Sequence, residues 1–199
     1  MHMKRIIAAT ATAIAVVAAG SGVAMAFVVG PPEVDVANAT IQMGSPTPTP
    51  TPVTCAGEDG NTYQTYSWNW AGGETGAAPA TDYNLSGSLK VKNVQWTINL
   101  TTGRGVLEGT ATLTNSTTAG QTYSGPLVLI TQGVPAAGAV VPARGWINAK
   151  TFTRGVADGG SLLANVEMQI TPGFSANGEF GNGSMGFPDW SVAYNNKIC

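Results

Sequence analysis

The strongest constraint on this chain is alternation. Val94, Trp96, Ile98 and Leu100 fall on one face of an extended segment, with Gln95, Thr97 and Asn99 on the other. Leu162, Ala164, Val166, Met168 and Ile170 repeat the pattern. A period of two marks strands with one buried face. Shorter or less regular runs place further strands at 63–70, 84–92, 105–114, 123–131, 145–152, 174–180 and 191–194. The consecutive Leu127, Val128, Leu129 and Ile130 read as a strand buried on both faces.

Turn chemistry separates these runs. Turns are expected at Asp59-Gly60, Gly72-Gly73, Thr102-Gly103, Ala119-Gly120, Asp158-Gly159-Gly160, Pro172-Gly173, Asn177-Gly178 and Asn182-Gly183. No long apolar pattern of helical period interrupts them. The fold class is therefore all-β: an antiparallel meander closing into a small β-barrel, with a two-sheet β-sandwich as the alternative.

Two cysteines, Cys55 and Cys199, bracket this region. In an oxidising compartment such a pair reads as one disulfide. It would hold the ends of the domain within about 7 Å of each other, which suits a closed sheet.

The N-terminus points to that compartment. Lys4 and Arg5 precede an apolar run, and Ala24-Met25-Ala26 supplies a small-residue cleavage site, so residues 1–26 read as a signal peptide. The run is broken by Gly20-Ser21-Gly22, short of the roughly 20 apolar residues of a membrane span. The mature chain is expected to have no membrane span. Its place is secreted or cell-surface, and the Ala-rich leader is bacterial in style.

After the leader come an arm and a linker. Residues 27–44 form the arm, where Val34-Asp35-Val36 alternates and Ala37, Ala39, Ile41 and Met43 alternate in the opposite phase, a weak strand pattern with one phase slip. Residues 45–54, opening with SPTPTPTPV, are a Thr/Pro-rich linker. Proline lacks a donor and fixes φ, so this segment reads as an extended spacer. Residues 55–199 form the single β domain.

Composition excludes several functions. Losing Lys4 and Arg5 leaves 7 basic residues of 9 against 11 acidic ones. The mature chain is mildly acidic with no basic patch, which argues against nucleic acid as a partner. The one histidine, His2, lies in the leader. Ser-His-Asp and Cys-His catalysis and His-ligated zinc are thus not expected. No phosphate-binding glycine loop and no G-x-S-x-G or S-x-x-K motif occurs, and no cofactor is expected.

Carboxylates are the remaining catalytic material: Glu58, Asp59, Glu74, Asp82, Glu108, Asp158, Glu167, Glu179 and Asp189. A pair about 5–9.5 Å apart can hydrolyse a glycosidic bond. Glu108 and Glu167, inside strands, are the best candidates for a shared face, with Arg104, Arg144 and Arg154 as ion-pair partners. Glu58-Asp59-Gly60-Asn61 clusters oxygen ligands suited to calcium but lacks the EF-hand spacing.

The aromatic residues are the candidate ligand-binding set. Tyr66, Trp68 and Trp70 alternate on one strand face, and Trp96 and Trp146 lie in other strands, with Trp190 near the C-terminus. Exposed, they would stack on sugar rings or a small apolar molecule. Buried, they would simply fill a barrel. Trp96 to Leu100 with Gly103, Gly105 and Gly109-Thr110 resembles the Trp-plus-glycine hairpins of avidins and lipocalins. That likeness covers only this hairpin and carries no residue role.

Three functions follow. The first is an exported, non-enzymatic β module for binding or adhesion, with a glycan or small apolar molecule as ligand. The second is a structural subunit that adds its N-terminal arm as a strand to another copy of itself. The third is a carboxylate-dependent enzyme acting on a sugar or small apolar substrate.

Overall fold

The computed structural model describes residues 39–77, 85–116, 121–135, 138–151 and 161–181. The leader, the expected strand at 191–194, Trp190, Cys199, Asp82, Asp158, Asp189 and Arg154 lie outside them. So do the turns expected at Ala119-Gly120, at 158–160 and at Asn182-Gly183.

Among the described residues nine strands form one antiparallel sheet: β1 (Ala39–Met43), β2 (Val53–Ala56), β3 (Thr62–Ala77), β4 (Gly87–Asn99), β5 (Arg104–Asn115), β6 (Thr122–Gln132), β7 (Val141–Thr151), β8 (Ser161–Ile170) and β9 (Ala176–Gly181). From β3 to β9 each strand pairs with the next in sequence. The sheet then closes through β1, which pairs with β9 on one side and β3 on the other. Eight strands make the ring, and β2 pairs with the opposite end of β3. The fold is a closed barrel and not a sandwich.

The alternation sorts side chains as a small barrel requires. On β7, Val141, Ala143, Ile147 and Ala149 face in, while Arg144 and Asn148 are exposed. On β6, Leu127 and Leu129 are buried, whereas Val128 and Ile130 are half-buried. The run expected to be buried on both faces is thus an ordinary wall strand. Hydroxyl pairs stitch the outer face, Thr65 to Thr97 at 3.1 Å and Thr112 to Ser124 at 3.0 Å.

The runs expected at 84–92 and beyond Asn93 are a single strand, β4. Its register slips between Lys92 and Gln95, so Val91 and Val94 both face the core. Asn93 makes the slip with φ 52°, a conformation that asparagine tolerates better than most residues. Its N–H donates to Asn69 Oδ1 at 2.8 Å.

Two expected turns are also strand interior. Gly72-Gly73 lies in β3, at an irregularity between Trp70 and Gly73, and Asn177-Gly178 lies in β9. At Gly73 a Cβ would collide with Met43 Sδ and the Leu89 carbonyl. At Gly178 it would collide with the Glu167 carbonyl. Both glycines are there for close approach between strands. Gly178→Ala is expected to cost about 1–3 kcal/mol, read as a lower denaturant midpoint with an unchanged slope.

Most of the Thr/Pro-rich stretch at 45–54 falls in the segment 44–52. It joins β1 to β2, both of which belong to the same compact unit. The Thr/Pro run is therefore a strap within the barrel unit.

Candidate functional site

The aromatic set forms a plug. Tyr66, Trp68, Trp70 and Trp96 are all buried inside the barrel. Phe174, from the turn between β8 and β9, packs on Tyr66 at 5.1 Å, Trp68 at 5.3 Å and Trp96 at 6.1 Å between ring centroids. Trp68 and Trp70 meet edge to face at 5.1 Å. Two indoles are anchored by buried hydrogen bonds: Trp70 Nε1 donates to the Phe174 carbonyl at 2.6 Å, and Trp96 Nε1 to Thr131 Oγ1 at 2.8 Å. Burial raises the Tyr66 phenol above its ordinary range.

These four residues present almost no surface outside the barrel. Trp146 faces out from β7, half-buried, with Val128 and Asn165 opposite it. It is the one candidate of the five that lies on the outer wall. Sequence alternation grouped Tyr66, Trp68 and Trp70 on one face but could not say that this face is the interior. Phe174, at the start of the strand expected over 174–180, sits instead in a tight turn with φ 60°.

Trp68 Nε1 is the only buried side-chain polar atom without a hydrogen-bond partner among the described residues. Trp68→Phe therefore removes an unsatisfied donor, whereas Trp96→Phe leaves the buried Thr131 hydroxyl without its partner. The second is expected to cost about 1–3 kcal/mol more than the first in chemical denaturation.

Beyond the plug the interior is mostly aliphatic, with Phe180 among the core residues. A cavity of about 20 Å³ lies among Ile41, Met43, Leu89, Leu113, Leu127 and Phe180, with other apolar neighbours. That is roughly the space of one water, and a lining without polar partners does not hold one. Small-molecule sites are usually of about 300–1,000 Å³. This cavity is therefore part of the core and not a small-molecule site.

Glu108 and Glu167, the pair expected to share a face, do not converge, whereas Glu179 is brought beside Glu167 on the outer wall. Glu108 on β5 and Glu167 on β8 both point outward, three strands apart, or about 14 Å at the usual strand spacing. Glu167 accepts from Arg144 Nη2 at 2.9 Å in an exposed pair. Glu179 stands opposite Glu167 in the ladder. Asp59 closes its own turn, accepting from Asn61 N at 3.0 Å, Asn61 Nδ2 at 2.8 Å and Tyr63 Oη at 2.5 Å. The Tyr63 bond, then those from Asn61, hold the Asp59 carboxyl below its usual range, and the same bond raises the Tyr63 phenol. Among the described residues no group of three or more His, Cys, Asp or Glu could hold a metal ion.

The unusual feature of the wall is the seat of β1. This five-residue strand is held by ladders on both sides. Ala39, Ile41 and Met43 point into the core and are 0%, 5% and 1% exposed. Burying Ile and Met side chains is worth about 1.5–3 kcal/mol each. The partners are glycine-rich: Thr40 faces Gly76, Met43 faces Gly73, and Ile41 faces Gly178. Gly44 N donates to the Gly72 carbonyl at 3.3 Å, and Thr40 Oγ1 to the Gly76 carbonyl at 3.3 Å. Glycine weakens a strand interior, so the slot depends on its guest for packing. The seat is a shaped groove filled by the strand at the N-terminal end of the described chain.

The class defined by this geometry is a closed eight-strand antiparallel barrel with an aromatic plug and an N-terminal closing strand. The chain matches no family model, no curated protein and no solved structure.

Proposed function

We propose that this protein is an exported, non-enzymatic structural subunit that joins to other copies of itself by exchange of the β1 strand. The observation that carries the reading is the seat of β1: a short strand filling a glycine-lined slot, joined to the rest of the barrel through the Thr/Pro strap. An incoming β1 from a second copy would make the same ladders and bury the same Ile41 and Met43. Closed and exchanged forms then differ in few contacts. The balance is set by the effective concentration of the tethered strand, about millimolar for a short flexible connection. A proline-rich connection is stiffer and resists turning back.

Export supports this reading, because subunits concentrated at a surface reach the regime where exchange competes with self-closure. A disulfide between Cys55 and Cys199 is part of the proposal. It would hold the barrel of each subunit together while β1 leaves and re-enters.

Light scattering across a concentration series tests the proposal. Species larger than the monomer are expected to grow with concentration and to persist on dilution for as long as strand release is slow. A chain that remains monomeric up to millimolar concentration contradicts exchange.

A further inference from the structure

We propose that the strap is a site of O-linked glycosylation at Ser45, Thr47, Thr49 and Thr51. The inference rests on the export reading above. It starts from how the strap is laid down. All four hydroxyl residues are exposed, while Pro46, Pro50 and Pro52 are half-buried. Pro48 is exposed, so three of the four prolines lie toward the protein and all four hydroxyls toward solvent.

Thr47, Thr49 and Thr51 make no side-chain hydrogen bond among the described residues, unlike Thr40, Thr65, Thr75, Thr112 and Thr131 in the barrel wall. Their oxygens are thus available as nucleophiles. Proline keeps the segment out of the ladders, so a transferase meets an open strip of backbone. No charged residue occurs from Gly44 to Ala56. Exposed Ser/Thr alternating with Pro is the composition of glycosylated stalks.

The chemistry is a substitution at an activated sugar, carried on a phosphate or diphosphate. The hydroxyl oxygen bonds to the anomeric carbon, the bond from that carbon to the phosphate oxygen breaks, and a base of the transferase takes the hydroxyl proton. The phosphate leaves with the electron pair. Bulky polar groups on the strap would hold it extended, disfavouring return of β1 to its own barrel.

The test is the intact mass of the full chain purified from the cells that encode it. The expected result is a chain without residues 1–26, heavier than the bare polypeptide by whole sugar residues. The added mass should map to 44–53 and disappear in the S45A/T47A/T49A/T51A variant, while circular dichroism stays unchanged. A processed chain of bare mass overturns glycosylation and leaves export standing. Added mass in phosphate steps, or sugar elsewhere only, also overturns it. An unprocessed chain of bare mass overturns export and the modification together.

Discussion

Ile41→Asp is expected to abolish the closed barrel at a cost of about 4 kcal/mol or more. Ile41 is 5% exposed, lines the aliphatic cavity and lies between Thr75 of β3 and Gly178 of β9. A carboxylate there finds no cation among the cavity's apolar lining, so it must either stay charged without a partner or take up a proton. The thermal midpoint should fall by about 2–4 °C per kcal/mol for a chain of this size. Gln42→Ser, one residue along and exposed, is the control and should change little.

A chain lacking β1 extends this result. It should show two open edges, on β3 and β9, and bind hydrophobic dye. A synthetic peptide of residues 37–44 should restore the midpoint in proportion to its concentration. A peptide at 100 times its dissociation constant adds about 2.7 kcal/mol. The same peptide carrying Ile41→Asp should not. If the barrel melts identically with and without β1, the strand is not a stave and the slot has no role.

Loss of the proposed disulfide through Cys55→Ser is the second large expected effect. The proposed bond from Cys55 to Cys199 would close almost the whole domain into one loop, and the chain-entropy estimate for so long a loop is roughly 5 kcal/mol. On the same scale the midpoint should fall by about 10–20 °C. Reduction of the native chain should give the same fall, and the Cys55→Ser variant should show no further loss on reduction. Cys55 lies on β2, paired with Tyr63 near the start of β3. Two titratable thiols in the folded, air-exposed chain would contradict the bond.

The residues that announced strands did so because a half-buried sheet writes its period into the sequence. β8 and the second half of β4 were legible for that reason. β4 as a whole was not, since the slip at Asn93 puts two apolar residues at odd spacing and mimics two separate strands. Gly72-Gly73 and Asn177-Gly178 misled because glycine signals a turn and a close strand approach with the same letter. Only the facing residues, Met43 and Leu89 in one case and Glu167 in the other, distinguish them, and those contacts are long-range. The arm's alternation at Ala39, Ile41 and Met43 was visible, but the partner that buries it lies over 30 residues away in β3 and at the far end of the chain in β9. Alternation likewise put Tyr66, Trp68 and Trp70 together while leaving open which side of the wall they occupy. Phe174, their cap, carried no sequence signal, because a phenylalanine with left-handed backbone in a turn follows no pattern.

Strand exchange is tested most directly by mixing two singly substituted chains. Thr40 and Glu179 are ladder partners in β1 and β9, and neither is buried. One chain carries Thr40→Cys with a heavy-isotope label, and the other Glu179→Cys without it. They are incubated together at high concentration, diluted, oxidised and digested. Exchange is expected to give a cross-linked peptide joining position 40 of the heavy chain to position 179 of the light one. The link should increase with mixing concentration and vanish when Ile41→Asp is added to the heavy chain. If a single chain carrying both substitutions links within itself but the mixture never yields the hybrid peptide, β1 serves only its own barrel.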